Sequence, residues 1–336
     1  MIDRRALLRG VSRGLLAGPV MASVAHATAI GPTACSDGVG RTNVIIPDSD
    51  RFDIRAAGTG TAYRVSVGLP LPADTHGGPP PMLCLLDAHD HFRLFVDLAR
   101  SLAEAGDIVP LLIVGIGYPT DDPMEIIARR LYDFTFVGDP LHEALVRRIV
   151  GRGHVVRAGG ADGFLHFIET ELTPAIVARY GAVAAGPALA GHSLGGLLGL
   201  YALFSGRGGF SRYAISSPPL LWAADALAAQ EAAYARSHAD LPALLSLAAG
   251  AEETSLSHVL GLPDHLKPVE RAFIAAVGDP DPLEQLDHFQ RTLASRRYPS
   301  LVMDHHVFAG EGHAAVAAVA FRRALRVLYS KEGRRK

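Results

Sequence analysis

The stretch Gly191-His192-Ser193-Leu194-Gly195-Gly196 constrains this chain more than any other. It follows an Ala-rich apolar run, Ala182 to Ala190, and leads into Leu197 to Phe204, which predicts a buried helix. A small residue, any residue, serine, any residue, glycine, set between strand and helix, is the nucleophile-elbow pattern. Its logic is steric: a serine in a strained turn needs small neighbours so that strand and helix can approach. The turn lifts the hydroxyl above the sheet and aims helix N-terminal amides at a developing oxyanion. With 35 glycines in the chain the pentapeptide alone says little. The apolar flanks give it weight and make Ser193 the candidate nucleophile.

The chain has 336 residues, 49% hydrophobic and 20% charged, which permits a large core and excludes global disorder. A formal charge of −2 offers no electrostatic footprint for nucleic acid. Two cysteines, Cys35 and Cys84, make no disulfide framework, and Cys84 sits in the apolar run Met82 to Leu86 as a packed core thiol. At the start, Asp3 to Arg9 with its Arg4-Arg5 pair resembles a twin-arginine export signal. It is followed by apolar Leu15 to Ala25 and two small-x-small cleavage sites, Ala25-His26-Ala27 and Ala27-Thr28-Ala29. Residues 1–29 are therefore expected to be a removed leader, read by the twin-arginine export machinery. The apolar part is too short to span a bilayer, and the mature protein is expected in the periplasm without a membrane span. Residues 30–60 read as a polar lead-in, 61–330 as a single domain and 331–336 as a solvated basic tail.

Thr61 to Leu69 alternates like a half-buried strand, while Met82 to Leu86 and Pro110 to Ile116 read as strands buried on both faces. Phe92 to Ala105 has helical spacing. From about 118 to 160 the periodicity is poor, which predicts an excursion outside the sheet where a substrate site can be built. A helix over Gly163 to Tyr180, interrupted near Pro174, precedes the elbow. Tyr213 to Ser217, Leu244 to Ala249 and Ser300 to Phe308 are further strands, and Ala314 to Tyr329 is a closing helix. The alternation predicts an α/β protein with a doubly wound, mostly parallel sheet of the α/β-hydrolase kind.

A serine hydroxyl needs a base to take its proton, and in that fold the chain order is Ser, acid, His. His313, in Gly310-Glu311-Gly312-His313 after the last strand, is the expected base. The acid should leave the strand Leu244 to Gly250. Glu253 is favoured, with Glu252, Asp281, Asp287 or no acid at all as alternatives. The oxyanion needs two backbone N–H donors, expected from Leu194 and from Ala88 after the early central strand. Two histidine-rich pieces, Asp87/His89/Asp90/His91 and Asp304/His305/His306 with His313, have metal-ligand residue types. Neighbours on a strand face opposite ways, however, so His305 and His306 do not enter one site, and a serine elbow needs neither metal nor cofactor.

Further strings recur in order around the elbow: Leu85-Leu86-Asp87-Ala88, Val114-Gly115-Ile116-Gly117-Tyr118-Pro119, Arg129-Arg130-Leu131-Tyr132-Asp133-Phe134-Thr135, Gly159 to Phe164 and Ser216-Ser217-Pro218. With them, residues 45–330 resemble the esterase-D-like α/β hydrolases that include the ferric-enterobactin, salmochelin and bacillibactin esterases. The resemblance implies ester hydrolysis and, in the siderophore branch, cleavage of a trilactone. It places the nucleophile on Ser193, the base on His313 and, through Gly-x-x-Glu, the acid on Glu253. It also implies that Arg129 or Arg130 meets an anionic ferric catecholate at the substrate mouth, a role suited to a planar, permanently charged guanidinium. The structural alternative is an arginine paired with Asp133. Asp87-Ala88 stands where the family commonly has Asp-Gly, and Phe134-Thr135-Phe136 where it has Thr-Pro. A general short-chain, aryl or acylated-carbohydrate esterase is the alternative activity, and a non-catalytic siderophore-binding protein is the alternative from another class.

Overall fold

The computed structural model describes residues 45–71, 78–222 and 224–331. The expected leader, Cys35 and the tail beyond Lys331 lie outside the described residues. Strand β1 (Ser49–Arg55) falls inside the stretch read as a lead-in. It turns Phe52 and Ile54 inward and pairs antiparallel with β2 (Ala62–Gly68). An edge strand covered on one face needs few apolar residues, and the charged ones between them hid it.

Strand β3 (Pro81–Leu85) buries both faces: Met82 and Cys84 enter one core cluster, Leu83 and Leu85 another. Helix α1 (Ala88–Glu104) lays Phe92, Phe95, Val96, Ala99 and Leu102 on the second face, and β4 (Leu112–Gly117) is buried throughout. The excursion after β4 carries two helices that the periodicity did not reveal, α2 (Pro123–Phe134) and α3 (Pro140–Val150). Each begins with an Asp-Pro pair. Asp122 accepts from the Met124 N–H at 2.9 Å, and Asp139 from the Leu141 and His142 N–H groups at 3.0 and 3.2 Å. The proline's fixed φ and missing N–H suit the first turn.

The helix expected over Gly163 to Tyr180 is two, α4 (Ala161–Phe167) and α5 (Thr173–Tyr180). They meet in a wider turn, Ile168–Leu172, where Pro174 has no N–H to continue the ladder. Then come β5 (Val183–His192), α6 (Leu194–Ser205), β6 (Arg212–Ser216), α7 (Ala224–Ser237) and β7 (Leu244–Gly250). Helices α8 (Leu256–Leu260), α9 (Lys267–Val277) and α10 (Pro282–Ser295) precede β8 (Val302–Phe308) and the closing α11 (Val316–Tyr329).

The strands form one eight-stranded sheet in the order β1-β2-β4-β3-β5-β6-β7-β8. The β1–β2 and β2–β4 pairs are antiparallel and all other neighbours parallel. Helices α1 and α11 cover one face, with Phe95 against Phe321, and α6 with α4 and α10 covers the other. The sheet is doubly wound, and the carboxyl ends of β3, β5, β7 and β8 open on one side. Among the described residues no helix is long and apolar enough to cross a membrane.

Candidate active site

Ser193 follows β5 with φ 57 and ψ −124, a left-handed backbone that a side chain rarely adopts. The turn is held by the Ser193 N–H donating to the Ser216 carbonyl at 2.9 Å and by the Leu197 N–H donating to the Ser193 carbonyl at 3.0 Å. A Cβ at position 191 would run into the Gly195 carbonyl, which is the physical reason for glycine before the serine.

Strands β3 and β5 are parallel neighbours, with Leu85 opposite Ala190. The first residues of the helices that follow, Ala88 and Leu194, are thereby brought to one end of the sheet, and a Cβ on Gly195 would lie 3.6 Å from Asp87 Oδ2. These are the two N–H groups expected to hold the oxyanion, each at a helix N-terminus. Asp87 has φ 54, and its carboxylate makes no cap bond to α1 because it is engaged elsewhere.

Strands β7 and β8 are also parallel, with Gly250 opposite Phe308. The loops that leave them are stitched together: the Ala251 N–H donates to the Phe308 carbonyl at 2.8 Å and the Glu252 N–H to the Glu311 carbonyl at 3.0 Å. This brings Glu253 to His313. Glu253 Oε2 accepts from His313 Nδ1 at 2.7 Å, while Oε1 accepts from Ser217 Oγ at 2.6 Å and the Gly250 N–H at 2.7 Å. Glu253 is 2% exposed. Burial alone would raise its pKa, but the hydrogen bonds and charge of His313, with Ser217 and Gly250, outweigh it and hold the carboxyl below its ordinary value. Among the described residues no other acid candidate hydrogen-bonds His313. Asp281 caps α10 through the Leu283 and Glu284 N–H groups, Asp287 pairs with Arg291 on the surface, and Glu252 is exposed.

Ser193, His313 and Glu253 line one cavity of about 610 Å³. Among the described residues no hydrogen bond joins Ser193 Oγ to the His313 ring; such contacts often tighten only when substrate is bound. His192 was not singled out by the residue types. Its ring packs against His313 with centroids 4.6 Å apart and its Nδ1 lies 3.1 Å from Ser216 Oγ. Burial, with His313, His91 and Arg130 nearby, lowers its pKa well below the ordinary value, so this ring stays neutral beside the base. Ser217, which fixes the far oxygen of Glu253, also went unrecognised; only its place in Ser216-Ser217-Pro218 pointed to it.

The two arginines are placed differently from each other. Arg130 lines the cavity, but its Nε donates to both Asp87 oxygens at 2.8 and 2.9 Å and its Nη2 to the His192 carbonyl at 3.1 Å. Arg129 is not in the lining. It donates to the Ala62 carbonyl, sits 3.5 Å from Glu125 and lies over the Tyr118 ring at 4.5 Å. Neither pairs with Asp133, which is buried and accepts from the Tyr63 hydroxyl at 3.2 Å. Of the histidine-rich pieces, Asp304 is bound by Arg323 at 2.6 and 2.7 Å and His306 packs on Phe308.

The strand order, the strained serine turn after β5 and the stitched loops after β7 and β8 define an α/β-hydrolase fold. Within that class the chain resembles the siderophore-esterase group. The Esterase family model ("Putative esterase") matches residues 149–279. Over 186 residues the chain is 36% identical to the siderophore triacetylfusarinine C esterase of Aspergillus fumigatus, covering 54% of this chain and 59% of that protein. It is 35% identical over 145 residues to the ferri-bacillibactin esterase BesA of Bacillus subtilis, covering 42% and 48%. The chain thus matches about half to three-fifths of these relatives' length. The crystal structure of the BES protein from Bacillus cereus shares the fold, with a TM-score of 0.67 at 23% identity over 88% of this chain and 99% of that one.

Proposed function

We propose that this chain is a serine esterase that hydrolyses carboxylic esters through an acyl-enzyme, and that its substrate is an ester-linked siderophore. The observation that carries the reading is the 2.7 Å pair of His313 and buried Glu253 on the cavity that Ser193 enters from its strained turn. Ser193 Oγ attacks the ester carbonyl as His313 Nε2 takes its proton. Glu253 holds the imidazole by Nδ1 and stabilises the imidazolium. The Leu194 and Ala88 N–H groups face the tetrahedral oxyanion. His313 then gives the proton to the departing alcohol, activates a water, and the acyl group leaves as the acid. The similarity to two siderophore esterases supports the choice of substrate.

Ser193→Ala should lower kcat by at least about 10³-fold with its unfolding temperature unchanged, and fluorophosphonate should label wild type alone. Unaltered turnover in the variant would refute the mechanism. Mass analysis of products from ferric siderophore esters tests the substrate. Export to the periplasm rests on Arg4-Arg5 and the apolar stretch after it. Fractionation of cells expressing Arg4→Lys/Arg5→Lys should show a retained precursor, and unchanged export would reject a twin-arginine route.

A further inference from the structure

We infer that the ester this cavity takes is uncharged and apolar around its scissile bond, not an anion steered by arginine. This rests on the esterase reading above and goes beyond it to the substrate's charge. The cavity has a polar end at Ser193 and a long apolar remainder built by the excursion and by α8 to α10, with Ile127, Leu145, Ile149, Val259, Leu260 and Phe273 in its walls.

Every cation in the lining is already matched. Arg130 has its charge balanced by Asp87 and gives a further hydrogen bond to the His192 carbonyl. His313 faces Glu253. His89 lies 3.2 Å from Asp90; burial opposes its protonation, but that carboxylate more than offsets it and raises its pKa. Burial lowers the pKa of His91, His142 and His192, and His142 is enclosed by the rings of Trp222 and Phe273 at 4.6 and 4.8 Å. The lining therefore holds three carboxylates, Asp87, Asp90 and Glu253, against one permanently charged guanidinium, and each cation in it already has one of those carboxylates as partner. An entering anion would lose water and gain no free cation, whereas an apolar group gains by leaving water. Among iron chelates, three catecholates leave ferric ion with three negative charges and three hydroxamates leave none, so the cavity suits the second kind.

The test is a matched set of substrates: p-nitrophenyl acetate, p-nitrophenyl hexanoate and mono-p-nitrophenyl adipate, whose acyl chain equals hexanoate in length but ends in a carboxylate. Wild type should prefer hexanoate to acetate by about 10-fold in kcat/KM and to adipate by on the order of 30-fold. Val259→Lys, which adds a cation to the apolar wall, should raise adipate turnover and lower that of hexanoate. Ser193-dependent hydrolysis of adipate within about 3-fold of hexanoate, or faster acetate hydrolysis, overturns the inference and leaves the esterase reading standing. No ester hydrolysis and no fluorophosphonate labelling overturns both.

Discussion

Glu253 shows how one carboxylate is made specific by its surroundings. Its two oxygens take three hydrogen bonds, only one of them from His313, so the group is fixed before any substrate arrives. Glu253→Gln keeps the shape but removes the charge proposed to stabilise the imidazolium. Its kcat should fall by about 10² to 10⁴-fold with little change in KM, measured on p-nitrophenyl esters. Asp133 is the opposite case, a carboxyl buried beside Tyr63 with no cation bridged to it. Burial pushes its pKa up to about 7, against the pull of the Tyr118 and Tyr63 hydroxyls and Arg129. In the unfolded chain an Asp titrates near about 3.9, so the native state keeps a proton that the unfolded state releases. Its contribution is full below about pH 4 and is lost as pH rises toward about 7. Urea unfolding across that window should show a decline for wild type that Asp133→Asn flattens.

The elements set the serine turn and the loops beside it. Helix α6 is buried on nearly every side, which its run of Leu, Gly and Ala allows, and it approaches β5 so closely that position 191 tolerates no side chain. Gly191→Ala must open the turn, with a stability loss of about 1–3 kcal/mol and a larger loss of kcat/KM, read by urea unfolding and ester hydrolysis. Position 250 is under a similar constraint, because a Cβ there would meet the Glu311 carbonyl of the loop that carries His313. The excursion is held by caps: Asp122-Pro123 and Asp139-Pro140 start its helices, and Asp281-Pro282 starts α10. Those dipeptides were the local signal for helices whose apolar spacing is broken by charged residues.

Across the whole molecule, the ion pair of Arg130 and Asp87, with one Nε–H shared between both carboxylate oxygens, ties the excursion to the ends of β3 and β5. Asp87 is 2% exposed, so removing its partner leaves a buried charge uncompensated. Arg130→Met should lower stability by roughly 3 kcal/mol, and Asp87→Asn/Arg130→Met should recover part of that, measured by urea unfolding. A single variant as stable as wild type would mean that the pair does not anchor the excursion. Arg130 thus braces the site from within the cavity lining.

Several features follow from the sequence by itself. Runs without polar alternation in β3 and β4 specify strands buried on both faces, and small residues around Ser193 specify a turn only an elbow needs. The order of Ser193, Glu253 and His313 follows from the order of strands and helices. The strand runs and the serine turn are local patterns, written within a few residues, and the triad order follows from the succession of such elements. Tertiary structure decided the rest. Glu253 meets His313 across 60 positions and Arg130 meets Asp87 across 43, and no periodicity encodes which carboxylate or guanidinium a distant partner will reach. The charge balance of the cavity is set by those pairings, because a guanidinium held by a buried carboxylate brings no net positive charge to a substrate anion.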